Sequence, residues 1–104
     1  MIKVTENKEI IEIDEAEARK LLLDTFGKRM KTLRNGKGKK FSQEKLSETS
    51  GLHRNYISDA ERGTRNVSLI AMFKIIQGLD MSFADFFFWR IWWSFKKFGW
   101  INKK

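Results

Sequence analysis

Residues 51–63, with the sequence GLHRNYISDAERG, constrain the fold of this chain more than any other stretch. A glycine stands at each end, and glycine is the residue that most often ends a helix. Between the glycines, apolar residues at positions Leu52, Ile57 and Ala60 suit one face of a short helix. The stretch is therefore predicted to be a short helix that buries one face and exposes the others.

The exposed faces of this predicted helix carry Arg54 and Asn55 near its start. Arginine and asparagine are the side chains best shaped to pair with the edges of guanine and adenine. A helix with these residues in its first turn, within a basic domain, is typical of a recognition helix in a DNA major groove.

The charge of the chain is divided unevenly along its length. The total is 21 Lys and Arg against 13 Asp and Glu, a net charge of +8. Residues 1–24 contain four basic and seven acidic residues, whereas residues 25–104 contain 17 basic and six acidic residues. The region around the predicted recognition helix is therefore the basic one, which favours nucleic acid through counterion release. An anionic membrane surface would attract the same charge.

The composition excludes several classes of site. Cysteine is absent, so disulfides and thiolate metal sites are excluded, and the single histidine, His53, cannot form a multi-histidine metal site. No nucleophile–base set, acid pair or phosphate-cradling motif is present. We therefore expect no enzyme activity, no catalytic residue, no metal, no cofactor and no small-molecule effector. Acidic residues interrupt every apolar run near the N-terminus, so no signal peptide is expected and a cytoplasmic location is predicted.

Two structural elements are predicted in the N-terminal 36 residues. Residues 1–13 are rich in β-forming residues, and both a small hairpin that turns at positions 6–8 and a flexible arm fit them. Asp14 is placed to cap a helix over about residues 15–35, with Glu17 completing a capping box. The apolar stripe of this helix is predicted to face the core: Leu22, Phe26, Met30 and Leu33.

Three further helices are predicted from capping residues in the same way. Ser42 caps a helix over about 43–50 that ends at Gly51, and the tight turn there joins it to the predicted recognition helix as a helix-turn-helix unit. Ser68 caps a fourth helix and Ser82 a fifth. The fourth helix is largely apolar, at Ile70, Met72, Phe73, Ile76 and Leu79. The prediction is an all-α, compact five-helix domain.

The C-terminal segment is aromatic on every face from position 86 to 95, and such a segment must be buried by something. It is too short to span a bilayer, and Arg90 interrupts it. A dimer interface, packing on the N-terminal segment and insertion into a membrane surface remain open, and membrane association is the least expected. The predicted interface residues are Phe86, Phe87, Trp89, Ile91, Trp92 and Trp93. The predicted divisions are an arm or hairpin over 1–13, a DNA-binding domain over 14–88 and an extension over 89–104.

Four segments together resemble the Cro and phage-repressor (Xre-type) helix-turn-helix family: GKRMKTLR at 27–34, FSQEKLS at 41–47, residues 51–63, and residues 68–87. Within it, Leu-x-Arg-x-Tyr-Ile-Ser-x-x-Glu-Arg over 52–62, followed by Arg65 and Asn66, is most similar to the controller proteins of restriction–modification systems. The resemblance covers roughly residues 25–88. It implies a lambda-repressor-like domain that binds double-stranded DNA as a two-fold dimer.

The resemblance also implies roles for single residues. Base reading falls to Arg54, Asn55 and Asp59, where the carboxylate would accept from cytosine. Gln43 would contact phosphate and prop a base-reading side chain, and Arg34 and Glu61 would form a structural salt bridge. Together with the basic loop and the cap position of His53, the pattern predicts phosphate contacts from Lys39, Lys40, Gln43, His53, Tyr56, Ser58, Arg65 and Asn66.

These observations predict a sequence-specific DNA-binding transcriptional regulator that binds a pseudo-palindromic operator as a homodimer, of the restriction–modification controller kind. The alternative is an antitoxin-like or other protein-interaction module whose aromatic C-terminal segment binds a partner protein.

Overall fold

The structure, a computed structural model, describes residues 2–6 and 9–87, and within the two strands it describes side chains only for Lys3, Glu12 and Ile13. The predicted interface residues Trp89, Ile91, Trp92 and Trp93 lie outside the described residues. The elements are β1 (Ile2–Glu6), β2 (Glu9–Ile13), α1 (Glu15–Gly36), α2 (Gln43–Ser50), α3 (Arg54–Arg62) and α4 (Leu69–Gly78). Residues 83–87 form a fifth helical segment, α5. The prediction of a five-helix domain is confirmed.

The N-terminal residues form the hairpin rather than the arm. Strands β1 and β2 pair antiparallel, with Ile2 opposite Ile13 and Glu6 opposite Glu9. The hairpin leads through Asp14 directly into α1. The strongest contacts among the helices are those of α1 with α3, and of α2 with both α4 and α3.

The helices begin where the sequence places their caps. The first N–H groups of a helix have no partner within the helix, so a side chain before it must accept from them. Asp14 Oδ1 accepts from the N–H of Glu17 at 2.8 Å, as predicted. Equivalent bonds of 3.0–3.1 Å start α2, α3, α4 and α5, from acceptors on Ser42, His53, Ser68 and Ser82.

The core lies between the helices and is completed by α5. Its fully buried large side chains are Met30, Leu46, Ile57, Ile75, Ile76, Leu79 and Phe86. Leu22 was predicted to face the core but is 68% exposed, and two apolar residues of α4, Ile70 and Phe73, are exposed as well. Leu22 lies in the part of α1 that precedes the core residues Phe26 and Met30. On α4 the buried face is instead formed by Ala71, Ile75 and Ile76.

The close approach of α1 to α3 depends on a glycine. A Cβ atom added to Gly27 would lie 2.5 Å from the carbonyl oxygen of Ala60 and 2.7 Å from that of Glu61. These distances are far shorter than van der Waals contact, so a larger residue would push the two helices apart. Gly27 therefore fixes the position of α3 on the body of the domain.

Phe86 belongs to the core of a single protomer. It is 1% exposed, and its ring centroid lies 5.1 Å from that of Phe26. Its assignment to a dimer interface is therefore wrong, because no surface of the ring is left for a partner. Arg29 Nε donates to the carbonyl oxygen of Phe86 at 3.1 Å, at the end of α5 where carbonyls lack helical partners. Partial burial lowers the pKa of Arg29 from its ordinary value.

Within residues 2–6 and 9–87, no helix combines the length and the apolar character needed to cross a membrane.

Candidate DNA-binding surface

Helix α3 separates its residues into a buried face and an exposed one. Ile57 and Ala60 are buried, whereas Arg54 and Asn55, in the first turn, are exposed. The two side chains predicted to read bases therefore have no packing role. Both side chains are accessible to a molecule that approaches this face of α3.

Arg54 has one weak ionic partner. Its Nε atom lies 3.8 Å from Glu44 Oε1 on α2, and both side chains are more than half exposed. Exposed ion pairs contribute at most about 1 kcal/mol, because solvent screens them. Arg54 can therefore leave Glu44 at little cost and bind an acceptor such as guanine.

A cluster of two arginines lies at the other end of α3. Asp59 Oδ1 accepts from Arg62, and Asp59 Oδ2 accepts from Arg65 Nη2 at 3.0 Å. The guanidinium carbon of Arg65 lies 4.4 Å from the centroid of the Tyr56 ring, which is a cation–π contact. Both oxygens of Asp59 are thus occupied by arginine. Base reading by Asp59 stays a prediction, and in this structure the carboxylate positions the two cations.

Arg62 is a candidate DNA contact to which the sequence analysis assigned no role. Its Nη1 atom donates to Ser58 Oγ at 2.6 Å, so it ties together two turns of the exposed face. The sequence could have indicated these contacts of Arg62, because Arg62 lies four residues after Ser58 and three after Asp59. Residues at these spacings are neighbours on a helix.

Three predicted phosphate ligands also have structural roles. His53 caps α3, with Nδ1 accepting from the N–H of Asn55 at 3.0 Å. The Tyr56 hydroxyl accepts from the N–H of Ser68 at 3.4 Å, at the start of α4. Ser58 accepts from Arg62, as described above. Each keeps an exposed or half-exposed position, and phosphate contact by each stays a prediction.

A buried network holds α3 to α1 and α2. Arg34 Nε donates to Glu61 Oε2 at 2.6 Å, and Arg34 Nη2 donates to Glu61 Oε1 at 3.2 Å. The side chains are only 11% and 3% exposed. The predicted structural salt bridge is therefore confirmed, and its two-pronged geometry sets the orientation of α3.

Gln43 is part of this network. Its Nε2 atom donates to Glu61 Oε1 at 3.0 Å. The side chain therefore supports Glu61 and the position of α3. Contact with phosphate and support of a base-reading side chain by Gln43 stay predictions.

The remaining predicted phosphate ligands lie in two loops. Lys39 and Lys40 are exposed between α1 and α2, and Asn66 is exposed between α3 and α4. Among residues 2–6 and 9–87, no cluster of three or more His, Asp or Glu side chains is arranged to hold a metal ion. What the surface offers is a set of cations and amides around the exposed side of α3.

The two short helices joined at Gly51, with an exposed Arg–Asn pair on the second, define a protein of the helix-turn-helix class. The comparison with known families agrees. The chain belongs to the helix-turn-helix family, whose model matches residues 30–86.

Individual proteins are similar to a large part of this chain. The control protein C.BamHI of Bacillus amyloliquefaciens is 48% identical over 60 residues, covering 58% of this chain and 73% of that protein. The crystal structure of the restriction–modification controller protein C.AhdI of Aeromonas hydrophila is 43% identical, with a TM-score of 0.59, and the match covers 64% of this chain and 98% of that one. The controller protein C.Esp1396I, a tetramer in complex with its natural 35-base-pair operator, is 38% identical with a TM-score of 0.60, over 64% of this chain and 84% of that one.

Proposed function

We propose that this protein is a DNA-binding transcriptional regulator of the restriction–modification controller type, and that it binds a pseudo-palindromic operator as a homodimer. The observation that carries the proposal is the exposed Arg54–Asn55 pair in the first turn of α3, held on a rigid buried network. The similarity to controller proteins, one of them in complex with its operator, supports it. Such a regulator works where the chromosomal DNA is, which agrees with the predicted cytoplasmic location.

The recognition helix specifies sequence in this proposal, and the surrounding groups set its register. Arg54 and Asn55 pair with base edges in the major groove, while Lys39, Lys40 and Asn66 contact phosphate. Arg65, held by Asp59 and stacked on Tyr56, is positioned before DNA arrives, so little side-chain entropy is lost on binding.

A homodimer places two such helices in successive major grooves, about 34 Å apart along the DNA. The exposed apolar residues Ile70 and Phe73 on α4 support an interface there, because monomeric proteins rarely expose large neighbouring apolar side chains. The role predicted for Trp89, Ile91, Trp92 and Trp93 in that interface stays a prediction.

The experiment that tests the proposal is selection of bound sites from a random pool of DNA duplexes, followed by a salt titration on the selected site. An inverted repeat with a steep salt dependence is the expected result. Recovery of no motif, with weak binding to every duplex, would contradict sequence-specific regulation.

Arg54→Ala is expected to weaken binding to the selected operator by ~1–3 kcal/mol and to relax specificity at one position of each half-site. The reason is loss of a paired contact to one base, with the fold unchanged because Arg54 is exposed. Binding isotherms on the operator and on single-base variants measure this. Arg19→Ala, an exposed arginine of α1, is the matched control, and equal losses for both variants would contradict base reading.

Lys40→Ala is expected to weaken binding to all duplexes similarly and to lower the slope of log K against log salt concentration by about one. The physical reason is that the variant neutralises one phosphate fewer, so its binding to DNA releases fewer counterions. Lys74→Ala, an exposed lysine on α4, should leave the slope unchanged. A sequence-selective loss for Lys40→Ala would show that this residue does not act through phosphate.

A further inference from the structure

An apolar groove opens on the side of the domain formed by the first half of α1, the start of α4 and α5. Its volume is about 490 Å³, and its walls include Leu22, Leu69, Met72, Phe83 and Phe87. Leu22 and Leu69 are both exposed by more than 60%. Removal of such apolar side chains from water is favourable, so the groove favours an apolar occupant.

The α1 wall of this groove does not belong to the matched family region. Glu15, Ala18, Leu22 and Phe26 line it, and all four precede residue 30, where the family match begins. The aromatic C-terminal segment lies beyond residue 86, where the match ends. One wall of the groove and the aromatic segment thus lie outside the matched region, whereas the α4 wall and Phe83 of α5 lie inside it.

We propose that residues 88–104 of the same chain cover this groove. Phe87, the last described residue before this segment, lines the groove. The Phe87 ring lies 5.1 Å from that of Phe83 and 6.4 Å from that of Phe26, so an aromatic cluster already begins there. The 17 residues that follow include seven Phe and Trp, which are the side chains with the largest apolar area to bury.

The charges of the two partners are complementary. Residues 88–104 contain five Lys and Arg and no Asp or Glu. The groove is bordered by Glu15 and by Arg19, which pair with each other at 3.6 Å, and the cap and first turn of α1 add the acidic residues Asp14 and Glu17. The basic side chains would therefore lie beside the acidic start of α1 while the aromatic rings fill the groove.

We choose the segment of the same chain as the occupant because it is covalently attached to a residue that lines the groove. A segment that starts at the edge of a groove has a high effective concentration there, which a segment from a second molecule lacks. The experiment below distinguishes this arrangement from one in which the corresponding segment of a second copy covers the groove.

Tryptophan fluorescence reports on this segment alone, since all four tryptophans of the protein lie in it, at positions 89, 92, 93 and 100. In the full-length protein, Leu22→Lys is expected to shift the emission maximum to longer wavelength and to increase quenching by acrylamide. The introduced ammonium removes apolar surface from the groove and repels a basic segment. Leu69→Lys, on the other wall, is expected to do the same.

Two exposed positions of α1 provide matched controls. Leu21 and Thr32 are exposed, but neither lines the groove. Leu21→Lys and Thr32→Lys should leave the emission maximum and the quenching unchanged. Far-ultraviolet circular dichroism of all four variants shows whether the helices are retained, and the exposure of each replaced residue predicts that they are.

Three results would overturn the proposal. The first is unchanged emission in Leu22→Lys and Leu69→Lys. The second is an equal shift in the control variants, which would mean that the segment does not sit in the groove. The third is an emission maximum that moves with protein concentration, which would assign the groove to the segment of a second copy. No DNA is needed, so the result is independent of the proposed function.

Discussion

Replacement of Arg34 by methionine is expected to lower the free energy of unfolding by ~3–5 kcal/mol, because it leaves the carboxylate of Glu61 buried without a cation. In the native protein two nitrogens of Arg34 donate to the two carboxylate oxygens, and Nη1 donates to the carbonyl oxygen of Phe41 at 3.1 Å. Gln43 alone cannot neutralise the charge that remains. Urea denaturation of the variant and the native protein measures the difference.

Two comparisons sharpen this experiment. Arg19→Met breaks the exposed pair with Glu15, which spans 3.6 Å, and should cost less than about 1 kcal/mol. The double variant Arg34→Met, Glu61→Met should recover part of the loss, because it removes the unpaired charge as well. If the double variant is as unstable as the sum of the two single changes, an uncompensated carboxylate is not the cause.

Ile57→Ala is expected to destabilise the protein by ~2–5 kcal/mol, because it removes a fully buried side chain of α3 and leaves a cavity in the core. DNA binding should fall only as far as the folded fraction falls, since Ile57 contacts no solvent. Chemical denaturation and operator titration on the same samples test both parts.

The matched control for this change is Leu21→Ala, which also truncates a branched apolar side chain but at a position that is 44% exposed. Its effect on the free energy of unfolding should lie within about 0.5 kcal/mol. A loss for Leu21→Ala as large as the loss for Ile57→Ala would contradict the assignment of the effect to a cavity in the core.

The starts and ends of the helices could be predicted from single residues along the chain. Asp14, Ser42 and Ser68 mark the starts of their helices because their side-chain oxygens accept from N–H groups of the first turn, which have no partner within the helix. Gly51 and Gly63 mark ends because they adopt positive φ values of 77° and 73°, which other residues rarely adopt.

The partners of polar side chains were less predictable. The salt bridge of Arg34 with Glu61 was expected only from the resemblance to a family, since 27 residues separate the two. The bonds of Asp59 to Arg62 and Arg65, and of Gln43 to Glu61, were not foreseen. The bonds of Arg65 and Gln43 depend on where a loop or a neighbouring helix places the donor, and residue spacing carries no such information, whereas Arg62 lies at a helical spacing of three from Asp59.

The order of residues alone predicts where each helix starts, where α1, α2 and α3 end, which part of the chain is basic, and that Arg54 and Asn55 stand at the start of the recognition helix. These features follow from capping, glycine geometry and charge, all of which act over a few residues. It is the packing of the helices that buries Phe86 in the core and leaves Leu22, Ile70 and Phe73 exposed. An apolar residue is buried only if another element reaches it, and that depends on how the helices pack: Gly27 lets α1 meet α3, and the groove beside Leu22 lies where no described helix covers α1.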